Sequence, residues 1–146
     1  MAATGILDPH SLQRFVDAQQ PVYRMVEAEL AAGRKCSHWM WFIFPQLAGL
    51  GRSAKAQYYA LASLADARAY LAHPVLGKRL RACSAQVAAI DGRSAVDIFG
   101  TIDAIKFCSS MTLFALAAQD EPVFGLCLQK YDGGTFDPAT LALLSL

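Results

Sequence analysis

Apolar positions recur along this chain at helical spacing. The clearest stripe is Leu76, Leu80, Cys83, Val87 and Ile90, at intervals of 4, 3, 4 and 3. Residues three and four apart share one face of an α-helix, so this stripe predicts an amphipathic helix over 75–90. Lys78, Arg79 and Arg81 lie off it. A second stripe, Phe107, Met111, Phe114 and Ala118, is widened by Ile102, Ile105, Cys108 and Ala115. A helix apolar on most sides sits at the centre of a fold, so 101–118 is the expected central helix.

Caps and breakers place the remaining elements. Asp8-Pro9 predicts a helix over 9–18, a cap followed by proline at the first helical position. Pro21 opens a second helix carrying Val22, Met25, Val26 and Leu30, with Gly33 as its stop. Ser53 caps a helix expected to reach Leu61, and Ser63 one to about Ala72. His73-Pro74 is a boundary, because a residue before proline avoids the helical region. Ser94 to Asp97 has the form of a capping box. Thr101 caps the central helix, and Asp120 with Pro122 starts one reaching about Tyr131. Asp132-Gly133-Gly134 is a turn, and Asp137-Pro138 opens a last short helix. The run 37–46 stays open between a helical turn and a buried extended segment. No strand-like alternation stands out. The expected architecture is a single all-α domain, 1–146, of six to eight helices with short connections.

Composition narrows the function classes. The chain has 146 residues and is 55% hydrophobic, enough for a full core and consistent with an apolar patch closed in a homodimer. Its longest apolar run, Trp39 to Phe44, is far shorter than the roughly 20 residues of a membrane span. Met1 to His10 shows no secretory leader, so the cytoplasm is the expected compartment. Net charge is +1, which argues against bulk binding of nucleic acid. Residues 1–93 nevertheless carry eleven Lys/Arg against six Asp/Glu, and 94–146 carry two against six. The four cysteines form no Cys-x-x-Cys pair and read as reduced thiols, with Cys83 and Cys108 on core stripes. His10, His38 and His73 have no metal-ligand spacing, and no cofactor motif is present.

Three places carry candidate chemistry, each with a plainer reading beside it. The first is 38–46, which holds both tryptophans. Trp39 and Trp41 can stack on a flat ring, His38 can exchange a proton and Gln46 can read a polar edge. These rings serve equally as core anchors. The second is Gly49-Leu50-Gly51-Arg52-Ser53 with Lys55. Glycines admit a ligand close to the backbone, and a helix starting at Ser53 presents free N–H groups to a phosphate. An ordinary capped turn has the same letters, and the loop lacks the Gly-Lys-Ser/Thr ending of a phosphate loop. The third is Asp103, Lys106 and Ser110, on one face of the central helix, with Ser109 about a quarter turn away. They line a pocket or form a supporting ion pair. Cys36, beside Arg34 and Lys35 and two residues from His38, reads as an unremarkable thiol.

Several runs resemble a known family. Lys35-Cys36-Ser37-His38-Trp39-Met40-Trp41-Phe42-Ile43-Phe44-Pro45-Gln46, followed by Gly49-Leu50-Gly51 and Ser53, is similar to the signature of the bacterial "domain of unknown function 1810" family. So are Tyr70-Leu71-Ala72-His73-Pro74-Val75-Leu76-Gly77 with Arg79-Leu80, Phe99-Gly100 with Asp103, and Lys106 to Phe114. The resemblance spans about 12–141. It implies a mainly α-helical fold and no established activity. The label "calpastatin" carried by some members does not suit so apolar a chain. A fainter likeness connects the chain to helical domains proposed to process ADP-ribose derivatives, though their closing Trp-Gly-x-Gly element is missing here.

The leading expectation is a pocket for a small phosphate-bearing ligand, nucleotide- or ADP-ribose-like. Trp39 and Trp41 would meet its flat part, and Gly49, Gly51, Arg52 and Ser53 its phosphate. Gln46, Ser109 and Ser110 would add polar contacts. His38, Asp103 and Lys106 are the candidate catalytic groups should the protein be an enzyme. The alternative is a non-catalytic helical interaction module, homo-oligomeric, whose signature residues are structural.

Overall fold

A computed structural model describes residues 8–146; the segment Met1 to Leu7, part of the stretch read above for a leader, lies outside them. The described residues form ten helices. They are α1 (Gln13–Gln19), α2 (Tyr23–Ala31), α3 (Met40–Ile43), α4 (Ala54–Tyr58), α5 (Leu64–Ala72), α6 (Leu76–Ala89), α7 (Ala95–Phe99), α8 (Thr101–Ala117), α9 (Pro122–Asp132) and α10 (Pro138–Leu143). The expected count of six to eight was low, because four elements are single turns of four to six residues. The all-α class holds. The one β feature among the described residues is an isolated bridge between Leu47 and Leu61.

The two strongest stripes become the two longest helices. α8 is central: α5, α7, α9 and α10 all pack on it. It buries Phe107, Met111, Leu113 and Phe114 completely. α6 turns Leu76, Leu80, Cys83 and Val87 inward and packs on α2, α3, α5 and α9. Aromatic rings tie the layers together. Phe44 meets Phe99 and Phe107 edge-on, and Phe99 stacks on Phe107 at 4.8 Å between centroids, geometries that ring quadrupoles favour.

Most caps act as the letters predict. Ser53, Ser63, Ser94 and Asp137 each accept a backbone N–H at their helix start, and Ser94 with Asp97 completes a capping box. Replacing Ser94 by alanine should cost about 1 kcal/mol in a urea titration. Four boundaries differ from expectation. Asp8 does cap, but its carboxylate takes the N–H groups of Leu12 and Gln13, so Pro9 to Ser11 form a turn and α1 starts later. α4 ends at Tyr58 because Leu61 leaves to donate its N–H to the carbonyl of Gln46 at 2.9 Å. Gly100, with φ +84°, caps α8 in place of Thr101, and Glu121 precedes α9 in place of Asp120, without a side-chain cap. Cys83 is core as expected, whereas Cys108 is only half-buried.

Candidate functional site

The run 35–46 settles into a loop followed by one helical turn, and a carboxylate upstream dictates that shape. Glu29, on α2, accepts the N–H of Cys36 at 2.7 Å, the N–H of Ser37 at 2.9 Å, the hydroxyl of Ser37 at 2.6 Å and the indole N–H of Trp39 at 3.0 Å. Burial works to raise the Glu29 pKa, but these four donors outweigh it and hold the carboxyl down at about 2, from an ordinary 4.5. Hydrogen bonds to a charged form favour that form. With its polar edge satisfied, Trp39 enters the core at 0% exposure, its ring against Phe44.

α3 then sorts its side chains by turn geometry. Met40, Phe42 and Ile43 face inward, and Trp41 is left half-buried on the outer side. Two ammonium groups converge on it. Lys55 Nζ, from α4, lies 5.0 Å from the Trp41 ring centroid, and Lys106 Nζ, from α8, lies 5.3 Å from it. Both fall within the range of cation–π attraction. Lys106 pairs along its helix with Asp103 Oδ1 at 3.7 Å. The other oxygen of Asp103 takes a closer partner, Lys35 Nζ at 2.9 Å. Lys35 is only 7% exposed at its side chain, and its ammonium lies 5.1 Å from the Trp39 centroid.

The resulting chain of contacts runs Lys55, Trp41, Lys106, Asp103, Lys35, Trp39. It holds three ammonium groups and one carboxylate, an excess of two positive charges. Lys55 has no carboxylate partner among the described residues. Two polar atoms in the same segments are buried without a hydrogen-bond partner, the indole nitrogen of Trp41 and the hydroxyl of Ser110. Buried donors are normally bonded; this indole N–H is enclosed by protein and has no partner among the described residues.

Other candidates fall elsewhere or find structural employment. His38 is exposed and makes no hydrogen bond among the described residues. Gln46 is half-buried, and its main-chain carbonyl takes the N–H of Leu61. Gly49 has φ +101° and packs on Leu143, while a Cβ at Gly51 would lie 2.4 Å from that of Ala56, so turn geometry and the packing of α4 explain both glycines. Arg52 is exposed. Ser53 spends its hydroxyl on the N–H of Ala56, and α4 has only five residues, too few for the extended dipole that a phosphate-binding helix offers. From that segment only Lys55 reaches the tryptophan. Ser109 faces another way: its hydroxyl donates to Asp137 Oδ2 at 3.0 Å and fastens the start of α10. Cys36 is exposed and its thiol points to the carbonyl of Arg34.

The largest omissions of the sequence reading are Glu29 and the part played by Lys35. Lys35 sits inside the signature run, yet nothing local signals a partner 68 positions away at Asp103. Glu29 follows Glu27 on a solvated stretch of α2, and no spacing rule connects it to Trp39.

No curated protein matches the chain. The crystal structure of the conserved hypothetical protein Rv1873 from Mycobacterium tuberculosis is similar throughout, with 54% identity over 95% of this chain and 99% of that one, and a TM-score of 0.93. The family described as "Protein of unknown function (DUF1810)" matches residues 9–144. With nearly its whole length covered, the chain belongs to the DUF1810 family.

Proposed function

We propose that the protein binds a small phosphate-bearing ligand, nucleotide- or ADP-ribose-like, at the face formed by Trp41, Lys55 and Lys106. The observation that carries this reading is the convergence of two ammonium groups on a half-buried indole. A phosphate monoester carries about 1.5 to 2 negative charges at neutral pH, a charge of the size that two ammonium groups can balance. Lysine serves phosphate as a mobile point charge. Lys55 and Lys106 are the phosphate partners, and the open part of Trp41 supports the ligand's flat moiety. Trp39 is too deep to touch it and acts from behind, by holding Lys35. Asp103 sets the positions of Lys35 and Lys106, and with Lys106 it is the group placed to move a proton if the bound ligand is turned over. Such ligands abound in the cytoplasm, the compartment this reading favours.

A thermal-shift panel of ADP-ribose, NAD and mononucleotides tests the proposal. A ligand at a hundred times its Kd stabilises by about 2.7 kcal/mol, a rise of several degrees in a domain this size. Lys55→Ala should leave the unliganded stability within about 0.5 kcal/mol and weaken binding by about tenfold or more, the loss of a charged contact. A panel with no stabilisation at all sinks the proposal. The alternative of a non-catalytic structural module has one observation in its favour, the complete burial of Trp39; it predicts that Lys55→Ala changes nothing measurable.

A further inference from the structure

A cleft lies on the other side of α8, between α7, α9 and the turn before α10, with a volume of about 370 Å³. That is within the range of small-molecule sites, which are mostly apolar with a few placed polar groups. Val96, Ala104, Ile105 and the ring of Tyr131 form its apolar walls, and Asp132 and Asp137 supply carboxylates. Val96 and Ile105 are 51% and 61% exposed, and Ile102 continues the apolar surface beside them. None of the ion pairs among the described residues involves Asp132 or Asp137. Lys130, a neighbour in sequence, is engaged with the carbonyls of Ala88 and Ile90.

We infer that this cleft is a binding site for a small organic cation, an ammonium group on an apolar body, with Asp132 as its counter-ion. Charge complementarity selects the occupant: the cleft pairs carboxylates that no cation neutralises among the described residues with exposed aliphatic walls, and residues 94–146 carry six Asp/Glu against two Lys/Arg. Asp137 is fixed from below, where one of its oxygens takes the hydroxyls of Ser109 and Thr140 and the N–H of Thr140. Asp132 is held more lightly, by a hydrogen bond from the Cys108 thiol. It is the last residue of α9, where a negative charge opposes the helix dipole. Burial, the largest cause, raises its carboxyl pKa against the lowering effect of the Cys108 hydrogen bond, and the charge of Asp137 adds to the rise. The same burial, with both carboxylates, pushes the Cys108 thiol beside it up to about 12. A residue kept where it costs stability points to a function outside folding, and a bound ammonium removes that cost.

The experiment is an amide NMR titration of the full chain with 2-phenylethylammonium, using 2-phenylethanol and phenylacetate as matched probes. The ammonium should shift amides of 95–108 and 131–137 saturably. The alcohol should bind about tenfold more weakly, as expected for loss of a charge-assisted contact, and phenylacetate should not bind there. Asp132→Asn should keep or raise Tm and lose the preference for the cation. Equal binding of ammonium and alcohol, an undiminished preference in Asp132→Asn, shifts confined to other regions, or no shift at millimolar probe each overturn the inference. So does a concentration-dependent dimer that Ile105→Glu dissolves, since the cleft would then belong to a second copy of the chain.

Discussion

Glu29→Ala is expected to lower the stability of the protein by about 3 kcal/mol, read as a shift in the urea midpoint at unchanged slope. One carboxylate accepts four donors, and three of them, from Cys36 and Ser37, regain water when it is removed. The fourth does not. The Trp39 indole N–H sits on a ring with no exposed surface, and an unsatisfied buried donor alone costs about 1–3 kcal/mol. Loss of the loop's shape adds to this, since the Glu29 contacts fold 36–39 back against α2. Glu29→Gln keeps the size but offers a single acceptor oxygen and should fall between the two. The same group gives the protein an acid sensitivity. Its folded pKa, about 2, lies below the ordinary 4.5, so the stability it contributes is complete above pH 4.5 and is lost as pH falls toward 2. Because the carboxylate is partly solvated, that contribution is about 1–2 kcal/mol after allowance for screening. In Glu29→Ala, stability should therefore vary less with pH between 4.5 and 2.

Gly77→Ala is expected to cost about 3 kcal/mol, reversing the usual gain of about 1 kcal/mol when alanine replaces glycine in a helix. Gly77 is buried in the first turn of α6, where the last turn of α5 crosses it. A Cβ placed there lies 2.1 Å from the carbonyl oxygen of Leu71 and 2.9 Å from its carbonyl carbon. A guanidinium nitrogen of Arg81, at 2.8 Å, can swing aside, but the Leu71 carbonyl is helix backbone and cannot. Relief requires α5 and α6 to separate, which opens the packing around Tyr70 and Leu80, both core residues. Gly125 is the internal control. It is exposed within α9 with nothing inside 4 Å of a Cβ, so Gly125→Ala should stabilise by up to about 1 kcal/mol. Calorimetric melting of the two variants side by side separates the crowded glycine from the free one.

These two residues show where sequence legibility begins and ends. The long helices were readable because α6 and α8 each face a single core, and a residue's burial then follows from its position on the 3.6-residue repeat. The caps were readable because a serine or aspartate acts on N–H groups only two or three positions away. What escaped depends on chain crossings. Leu61 left its helix to pair with Gln46, Gly77 is needed because α5 returns over it, and Glu29 acts on a loop seven to ten residues further along. At the candidate face, the pairing of Asp103 with Lys106 was legible from helical spacing. The meeting of that face with Trp41 was not, since Lys55 and Lys106 arrive there from segments 51 positions apart. In the glycine loop, Gly49 and Gly51 meet a positive φ and a close contact with Ala56, demands that leave the same letters as a phosphate cradle.

Fluorine NMR of protein labelled with 5-fluorotryptophan, titrated with ADP-ribose, tests the proposed phosphate face most directly. The chain has two tryptophans, so each reports separately. Binding at this face should give a saturable shift of the Trp41 resonance, little movement of the buried Trp39, and loss of the response in the Lys55→Ala/Lys106→Ala double variant with its fold intact. An unmoved Trp41 across ADP-ribose, NAD and mononucleotides, or a response that survives removal of both lysines, would contradict it.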